Sequence, residues 1–338
     1  MVTFRHRSRG SGVSEDIASF PQALAMEITD LVELCSLLAL PETVLDNGRN
    51  AADEFPLRVP YSFLRRMERG NPTDPLLLQV LPQNVEMLST EGFTVDPVGE
   101  GTGPENGILR KYSGRALILT TSDCGVNCRF CFRRHFPRKK CNFSLDPIRE
   151  ATDIHEVILS GGDPLCLSNR ELTDLLYGLS RIPHIRRIRI HSRLPIVEPS
   201  RINAELVDIL GTFCPTYLVL HVNHPNELDG EVLERLESLI DIGVPILSQT
   251  VLLKNINDDI GVLERLFEKL VDNRMVPYYL HQLDQVSGAA HFEVAEEVGR
   301  RLIEELRVRL PGYAVPQYVR EVIGKACKGP YCYTEPRH

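Results

Sequence analysis

Between residues 115 and 284, six short β-rich runs alternate with helical stretches, and this rhythm constrains the fold of the 338-residue chain more than any other feature. Strands that alternate with helices form a parallel sheet with right-handed crossovers. Six units fit a partial barrel better than a complete eight-unit one, so the pattern predicts an α/β fold with a partial, TIM-like (β/α)6 barrel. The β-rich runs are 115–123, 155–163, 186–193, 216–223, 245–253 and 275–284.

The regions on either side of this rhythm have a different character. Apolar spacing before residue 100 predicts mainly helical structure, including a helix in "YSFLRRMERG" that ends at Gly70. Turn-rich "GEGTGPENG" at 99–107 marks a boundary. The predicted division is therefore an N-terminal, mainly helical region, the barrel and a C-terminal segment, with the bounds 1–108, 109–310 and 311–338.

Composition excludes several classes of protein. A formal charge of −8 argues against a general nucleic-acid binder, whose charge balance is usually basic. No run approaches the roughly 18 to 20 apolar residues of a membrane span, and the first residues lack the apolar core of a secretory signal. With nine cysteines, an odd number, the chain is expected to carry reduced thiols in the cytoplasm.

Three cysteines follow the first predicted strand directly, in "SDCGVNCRFCFRRHFPRKKC". Barrels place catalytic groups at this end of their strands. Cys124, Cys128 and Cys131 have C-x3-C-x2-C spacing, which can hold an iron–sulfur cubane and leave one iron open. The alternatives are three unconnected thiols, or a zinc site with Cys141 or His135 as its fourth ligand.

The cysteine run resembles that of the radical S-adenosylmethionine superfamily. The resemblance implies a [4Fe–4S] cluster whose open iron is chelated by S-adenosylmethionine, which the cluster cleaves to a 5′-deoxyadenosyl radical. "SGGDP" at 160–164 is similar to the glycine motif of that superfamily. It implies that Gly161, Gly162 and Asp163 contact S-adenosylmethionine.

From about residue 50 onward, the chain is similar to the lysine 2,3-aminomutases, radical enzymes that also use pyridoxal 5′-phosphate. The similarity is carried by "HSRLPIVEPSRI", "HVNHPNEL", "SQTVLLKNIND" and "YYLHQLDQVSGAAHF". "FPLRVPYSFLRRMERGNPTDPLLLQVLP" at 55–82 is most similar to the short branch of the family, which supplies (R)-β-lysine for the modification of bacterial elongation factor P.

This resemblance implies a set of cofactor residues. Lys328 is the expected covalent attachment point of pyridoxal phosphate, although Lys325 is nearby and the segment departs from the family pattern at Gly329. Tyr112 is expected near the pyridine ring. The remaining implied contacts are Arg115 at the cofactor phosphate, and His221 and Gln249 at S-adenosylmethionine.

The same resemblance implies the substrate contacts. Arg133 is expected to bind the α-carboxylate of L-lysine, while Asp284 and Glu321 are expected to bind its distant ammonium group. Two carboxylates at these positions favour an amine substrate over an acidic one. Glu321 stands where free-lysine aminomutases usually carry aspartate, and the short branch makes the same replacement.

Several expectations concern partners and alternative functions. The resemblance implies an electron donor such as flavodoxin or ferredoxin and a link to the elongation factor P ligase pathway. Because the chain ends at His338 without the C-terminal extension of longer relatives, a monomer or homodimer is expected. The alternatives are a free-lysine or other amino-acid 2,3-aminomutase in catabolism or solute synthesis, and a non-enzymatic zinc-binding protein.

Overall fold

The computed structural model describes residues 27–101, 107–136, 143–213, 215–325 and 328–330. Its main feature is one nine-stranded sheet in the order β11-β10-β9-β8-β7-β6-β5-β4-β3, beside a small sheet formed by β1 and β2. The strands are β1 Glu27–Ile28, β2 Val59–Pro60, β3 Ile108–Leu109, β4 Arg115–Thr121, β5 Glu156–Gly161, β6 Arg187–Ser192, β7 Thr216–His221, β8 Ile246–Val251, β9 Val276–His281, β10 Gln317–Arg320 and β11 Gly329–Pro330.

Helices connect the strands and cover the outside of the sheet. Five of them begin where a short polar side chain accepts a backbone N–H, at Asp30, Ser168, Asn203, Asp229 and Asp259. The helices are α1 Leu31–Leu37, α2 Glu42–Glu54, α3 Tyr61–Leu64, α4 Asp146–Glu150, α5 Asn169–Ser180, α6 Leu194–Val197, α7 Ala204–Thr212, α8 Gly230–Asp241, α9 Ile260–Asp272 and α10 Glu296–Arg309.

Strands β4 to β10 are parallel, and β3 and β11 flank them as antiparallel edge strands. The predicted partial barrel is thereby confirmed, and β4 to β9 coincide with the six predicted β-rich runs. The seventh parallel strand, β10, was not predicted. It has only four residues, too few to show the period-2 alternation that marks a strand in sequence.

The N-terminal region has less helix than its apolar spacing predicts. Helix α3 ends at Leu64 instead of continuing to Gly70, because the N–H groups of Arg66 and Met67 donate to carbonyl oxygens three residues back. This early end lets Arg66 donate to the main-chain oxygens of Glu227 and Ile196, at 2.6 and 2.5 Å. The region is thereby attached to the barrel by hydrogen bonds as well as by apolar packing.

One hydrophobic core runs from the N-terminal helices into the barrel, so buried residues such as Phe63 and Leu77 pack in the same cluster as Ile118 and Leu220. The division into three regions at residues 108 and 310 stays a prediction. Within the described residues, no helix combines the length and apolar character needed to cross a membrane.

Candidate active site

A cavity of about 600 Å³ lies inside the barrel. Its lining reaches from Arg115, the first residue of β4, to the cysteine loop beyond the end of the same strand, a distance of about 20 Å at 3.3 Å per residue. The cavity thus occupies more than the carboxyl ends of the strands. Every residue assigned to the site from sequence lines it: Tyr112, Arg115, Cys124, Cys128, Cys131, Arg133, Gly161, Gly162, Asp163, His221, Gln249, Asp284, Glu321 and Lys328.

The cysteine loop at one end of the cavity is held by main-chain hydrogen bonds to the N-terminal region. Arg58 Nη1 donates to the carbonyl oxygen of Cys124 at 2.8 Å, and Asn127 N donates to the carbonyl oxygen of Arg58 at 3.0 Å. Arg129 N donates to the carbonyl oxygen of Gln79 at 2.9 Å. Segments before the barrel therefore fix the loop that carries the three thiols.

A buried ion cluster fastens the same loop on its far side. Glu86 accepts from Arg129 Nε and Nη2, at 2.9 and 2.6 Å, and from Arg134 Nη2 at 2.7 Å. Both guanidinium groups lie 4.8 Å from the ring centre of Phe55. Arg129 and Arg134, two arginines beside the cysteines, are thus buried parts of the fold.

The three thiols line the same cavity, and their side chains interact electrostatically. Burial, followed by the neighbouring Cys131, raises the pKa of Cys124 well above its usual range. Burial also raises the pKa of Cys128 to about 11, against the opposing charge of Arg193. Thiolates there need a positive partner, and a metal cluster supplies one, so the donor set fits an iron–sulfur cluster.

Neither of the two residues considered as the fourth ligand of a zinc site is among the described residues that line the cavity. His135 Nε2 donates to the carbonyl oxygen of Ser287 at 2.9 Å, away from the cavity, and Cys141 lies outside the described residues. Among the described side chains, no three His, Cys, Asp or Glu are arranged to hold a single metal ion. A cubane differs from such a site, since each of its irons takes its own ligand.

The glycine motif packs so closely against the start of the cysteine loop that two of its positions have no room for a side chain. A Cβ on Gly161 would lie 2.5 Å from the carbonyl oxygen of Thr121, and one on Gly162 would lie 2.2 Å from that of Asp123. Gly161 also has a φ of +119°, which side chains disfavour. The glycines therefore let the end of β5 approach the start of the cysteine loop, where Asp163 N donates to the carbonyl oxygen of Asp123 at 2.7 Å.

Asp163 connects this motif to the next strand. Its carboxylate accepts from Ser192 Oγ and Leu165 N on one oxygen and from Arg193 N and Leu194 N on the other, at 2.7 to 3.0 Å. All four of its lone-pair positions are thus used inside the protein. Asp163 lines the cavity, and its side chain fixes the turn after β6.

The other end of the cavity carries a network of charged and phenolic groups. Tyr112 Oη lies 2.7 and 2.8 Å from the two carboxylate oxygens of Glu321. Burial, followed by this hydrogen bond, raises the pKa of Tyr112. Lys328 Nζ lies 3.9 Å from Glu321 Oε2 and 5.3 Å from the ring centre of Tyr279, whereas Lys325 is exposed and outside the cavity lining. Of the two candidate lysines, only Lys328 therefore has its amine in the site.

Electrostatics distinguish Lys328 and Asp284 from ordinary surface charges. Burial lowers the pKa of Lys328, although the carboxylates of Glu321 and Asp284 oppose this shift. Burial raises the pKa of Asp284 to about 6, and Lys328 opposes this change. Around neutral pH the lysine is therefore more easily deprotonated than usual, while the aspartate is still mostly ionised.

Arg133 already holds a carboxylate. Its Nε and Nη2 bind the two oxygens of Glu100 at 2.7 and 2.9 Å, while Nη1 donates to Ser160 Oγ and the carbonyl oxygen of Gly161. Lys111 Nζ lies 3.6 Å from Glu100, and the two cations hold the pKa of Glu100 below its usual range although burial alone would raise it. Arg133, which is predicted to bind the carboxylate of the substrate, is thus paired with the carboxylate of Glu100 in the structure.

Comparison with known proteins shows the family to which the chain belongs. No protein-family model matches it. It is 44% identical over 316 residues to the L-lysine 2,3-aminomutase of Escherichia coli (strain K12), covering 91% of this chain and 92% of that protein. It is 37% identical over 280 residues to the enzyme of the same name from Clostridium subterminale, covering 80% and 67%. The chain belongs to the L-lysine 2,3-aminomutase family.

Membership in the L-lysine 2,3-aminomutase family confirms the predicted family and the enzyme class, an isomerase. The predicted cofactors, a [4Fe–4S] cluster, S-adenosylmethionine and pyridoxal phosphate, are those of this family. A solved structure, Streptococcus suis SuiB bound to its precursor peptide SuiA, is 16% identical with a TM-score of 0.48, over 64% of this chain and 50% of that one. A similarity this low adds nothing to the assignment.

Several residues of this aminomutase line the cavity without having been assigned from sequence. Three histidines, His191, His221 and His281, have a buried Nε2 without a hydrogen-bond partner among the described residues, and only His221 was assigned. Arg189 likewise has an unpartnered Nε, and Glu100 holds Arg133. His281 is the last residue of β9 and His191 the last but one of β6, which is a signal in the sequence, but Arg189 and Glu100 have no such signal.

Proposed function

We propose that this chain converts L-lysine to β-lysine by moving the α-amino group to the neighbouring carbon. When bound, the cluster and S-adenosylmethionine supply an adenosyl radical that removes hydrogen from the substrate, and pyridoxal phosphate carries the migrating nitrogen. The observation that supports this most directly is the convergence, in one cavity, of every residue assigned from sequence to the two cofactors and to lysine. The protein's own task is to hold these groups against one carbon atom and to exclude water.

Lys328 is proposed to bind pyridoxal phosphate covalently. Attack on an aldehyde requires a neutral amine, and burial lowers the pKa of Lys328 in that direction. Once this amine is engaged, Glu321 and Asp284 lose a nearby ammonium. The ε-ammonium of lysine would replace it, so the two carboxylates are proposed to select a substrate with a distal cation.

Arg133 is proposed to receive the α-carboxylate of lysine by exchange with Glu100. A guanidinium fork binds one carboxylate in bidentate fashion, and the fork of Arg133 is occupied by Glu100. Glu100 would keep a cationic neighbour after the exchange, because Lys111 is already 3.6 Å away. The substrate thus replaces an interaction of the same chemistry and need not desolvate a free arginine.

Arg115 is proposed to hold the cofactor phosphate, together with Arg189. The guanidinium of Arg115 lies 5.5 Å from the ring centre of Tyr112 and has no hydrogen-bonded partner among the described residues. Arg189 pairs with Glu156 through Nη2 at 2.8 Å and keeps its buried Nε unpartnered. Two guanidinium groups with unused N–H donors suit a dianion.

Cys124, Cys128 and Cys131 are proposed to ligate the cluster, and the glycine motif, His221 and Gln249 to contact S-adenosylmethionine. The glycine motif is suited to this because it lies against the cysteine loop. His221 is suited by its neutral imidazole, whose pKa burial lowers to about 3. Such a group offers hydrogen bonds without adding charge beside the cluster.

The biological role is proposed to be the supply of (R)-β-lysine for elongation factor P, in the cytoplasm, with flavodoxin or ferredoxin as electron donor. The chain covers 92% of the Escherichia coli relative but 67% of the Clostridium subterminale one, and its 55–82 stretch is similar to the short branch. Mass measurement of elongation factor P, in cells with and without this protein, distinguishes this role from free-lysine metabolism. A catabolic enzyme would raise free β-lysine and leave the factor unmodified.

The activity is tested with anaerobically reconstituted protein. Iron and acid-labile sulfide are measured first, since a zinc protein would contain no acid-labile sulfide. L-lysine, ornithine and glutamate are then compared as substrates by chiral product analysis after reduction with dithionite. We expect β-lysine as the main product, and a clear preference for glutamate would overturn the lysine assignment.

A further inference from the structure

Arg193, directly after β6, carries a buried cation that the functions above do not use. Its Nη2 donates to Gln79 Oε1 at 2.7 Å and lies 3.5 Å from Glu227 Oε2. Its Nε and Nη1 are buried and have no hydrogen-bond partner among the described residues. Since unsatisfied buried donors of a charged group are costly, these two atoms indicate that a ligand is missing.

The surroundings of Arg193 point to the cysteine loop as the location of that ligand. Its guanidinium carbon lies 5.4 Å from the ring centre of Phe130, which stands between Cys128 and Cys131 in the chain. Arg193 also interacts electrostatically with the side chain of Cys128. Both side chains line the same cavity.

The position of this guanidinium is fixed from two sides. Asp163 accepts from the backbone N–H of Arg193 at 2.8 Å, which ties the residue to the glycine motif. Gln79 accepts from both Arg193 and Asn223 and donates to Glu227, so the anchoring network is buried and fully connected. The free donors of Arg193 are therefore held in a defined direction.

We propose that Arg193 donates hydrogen bonds to the sulfur of Cys128 in the loaded enzyme and thereby makes the cluster easier to reduce. This inference rests on the proposed cluster. Reduction adds negative charge to the cluster, and a fixed cation with N–H donors in a buried site stabilises the reduced form more than the oxidised one. Arg193 is thus a positioning and tuning residue for the electron that starts the reaction.

Arg66 offers a matched control. It is a buried arginine stacked on the same ring, 5.2 Å from the centre of Phe63 against 5.8 Å for Arg193, and it also contacts Glu227. Its hydrogen bonds, however, go to main-chain carbonyl groups, and it does not line the cavity. Arg66→Lys therefore perturbs the same packing without touching the cysteine loop.

The test compares Arg193→Gln, Arg193→Lys and Arg66→Lys with the unmutated protein, each reconstituted anaerobically. Iron and acid-labile sulfide give the cluster content, and electron paramagnetic resonance at a series of applied potentials gives the reduced fraction. We expect Arg193→Gln to keep its cluster and to lower the ratio of reduced to oxidised cluster about tenfold at a fixed potential, which equals 59 mV for one electron. In Arg193→Lys this ratio should lie between those of Arg193→Gln and the unmutated protein. In Arg66→Lys it should equal that of the unmutated protein.

Each outcome decides the inference. An unchanged potential in Arg193→Gln with full cluster content would show that Arg193 serves only the fold. If Arg193→Gln fails to hold a cluster, Arg193→Lys decides, and an unshifted potential there overturns the proposal. Absence of acid-labile sulfide from the unmutated protein would instead overturn the proposed function, and this inference with it.

Discussion

The two ends of the cavity are built from different interactions. At the cysteine end, main-chain hydrogen bonds and the fully buried Arg129–Glu86 pair hold one short loop against the N-terminal region. At the lysine end, charged side chains from distant segments, such as Lys111, Glu321 and Lys328, pair with each other at 3.8 and 3.9 Å. The first end is fixed by the backbone, and the second by charges that can exchange partners.

This difference suits what each end is proposed to bind. A cluster takes thiolates in one geometry, so its loop is best made rigid before the metal arrives. An amino-acid substrate brings its own ammonium and carboxylate groups, so internal lysine and glutamate groups can take their places until it binds. Changes at the cysteine end should therefore abolish cofactor binding or folding, whereas changes at the lysine end should produce graded kinetic effects.

The largest effects are expected at the three cysteines. Cys124→Ala, Cys128→Ala or Cys131→Ala should each lose the cluster and the cleavage of S-adenosylmethionine, since a cubane with two protein ligands is poorly held. Iron, acid-labile sulfide and 5′-deoxyadenosine are the quantities to measure. Cys166→Ala is the control, because this thiol lies near Cys124 but outside the motif. If Cys166 proved equally necessary, the open-iron arrangement would be wrong.

Lys328 is the one lysine-end residue for which a complete loss is expected, because its link to pyridoxal phosphate is covalent. Lys328→Ala should lose the borohydride-trappable adduct while keeping its acid-labile sulfide, since the cysteines lie at the other end of the cavity. Lys325→Ala, an exposed neighbour, should retain both. Mass mapping of the reduced adduct to Lys325 would contradict the assignment.

The sequence predicted the barrel well because its strands are buried and its helices begin with polar caps, both of which are local signals. It also predicted which residues would meet, through resemblance, but not how they pair. Glu100 lies in a turn-rich stretch that looks like a linker, and nothing local shows that it binds Arg133 thirty-three residues later. The orphaned nitrogens of Arg193 are likewise visible only in the fold, because burial of a single atom leaves no pattern in sequence.

The rigidity of the cysteine end can be tested through Glu86. Glu86→Gln leaves Arg129 and Arg134 buried without a carboxylate, and breaking a buried pair in this way costs about 3 to 5 kcal/mol. Urea denaturation of the metal-free protein measures this loss in the free energy of unfolding. The control is Glu237→Gln, which removes an exposed partner of Arg274 and should change stability by less than about 0.5 kcal/mol. Equal stabilities would show that the loop does not depend on this pair.

A graded kinetic effect is expected at Asp284. Asp284→Asn removes one charged partner of the substrate ammonium, at a cost of about 1.5 to 3 kcal/mol in transition-state stabilisation. The pKa of Asp284 is raised to about 6, so the carboxylate becomes neutral as the pH falls through that value. For the unmutated protein, kcat/KM for lysine should therefore fall below about pH 6. In Asp284→Asn, kcat/KM should no longer fall below about pH 6, while the cluster content stays unchanged. If kcat/KM of the variant still falls below about pH 6, the titration belongs to another group.

The smallest effect is expected at Glu100, and its sign tests the exchange of partners directly. If Glu100 competes with the substrate carboxylate for Arg133, then Glu100→Gln weakens the competitor, because an amide binds a guanidinium less strongly than a carboxylate does. KM for lysine should then fall by about 2- to 10-fold with little change in kcat, because only the internal competitor for Arg133 is weakened. Lysine amide, which lacks the carboxylate, should inhibit the variant and the unmutated protein equally. A rise in KM would mean that Glu100 holds Arg133 in place for the substrate, and the carboxylate site would then be as preformed as the cysteine end.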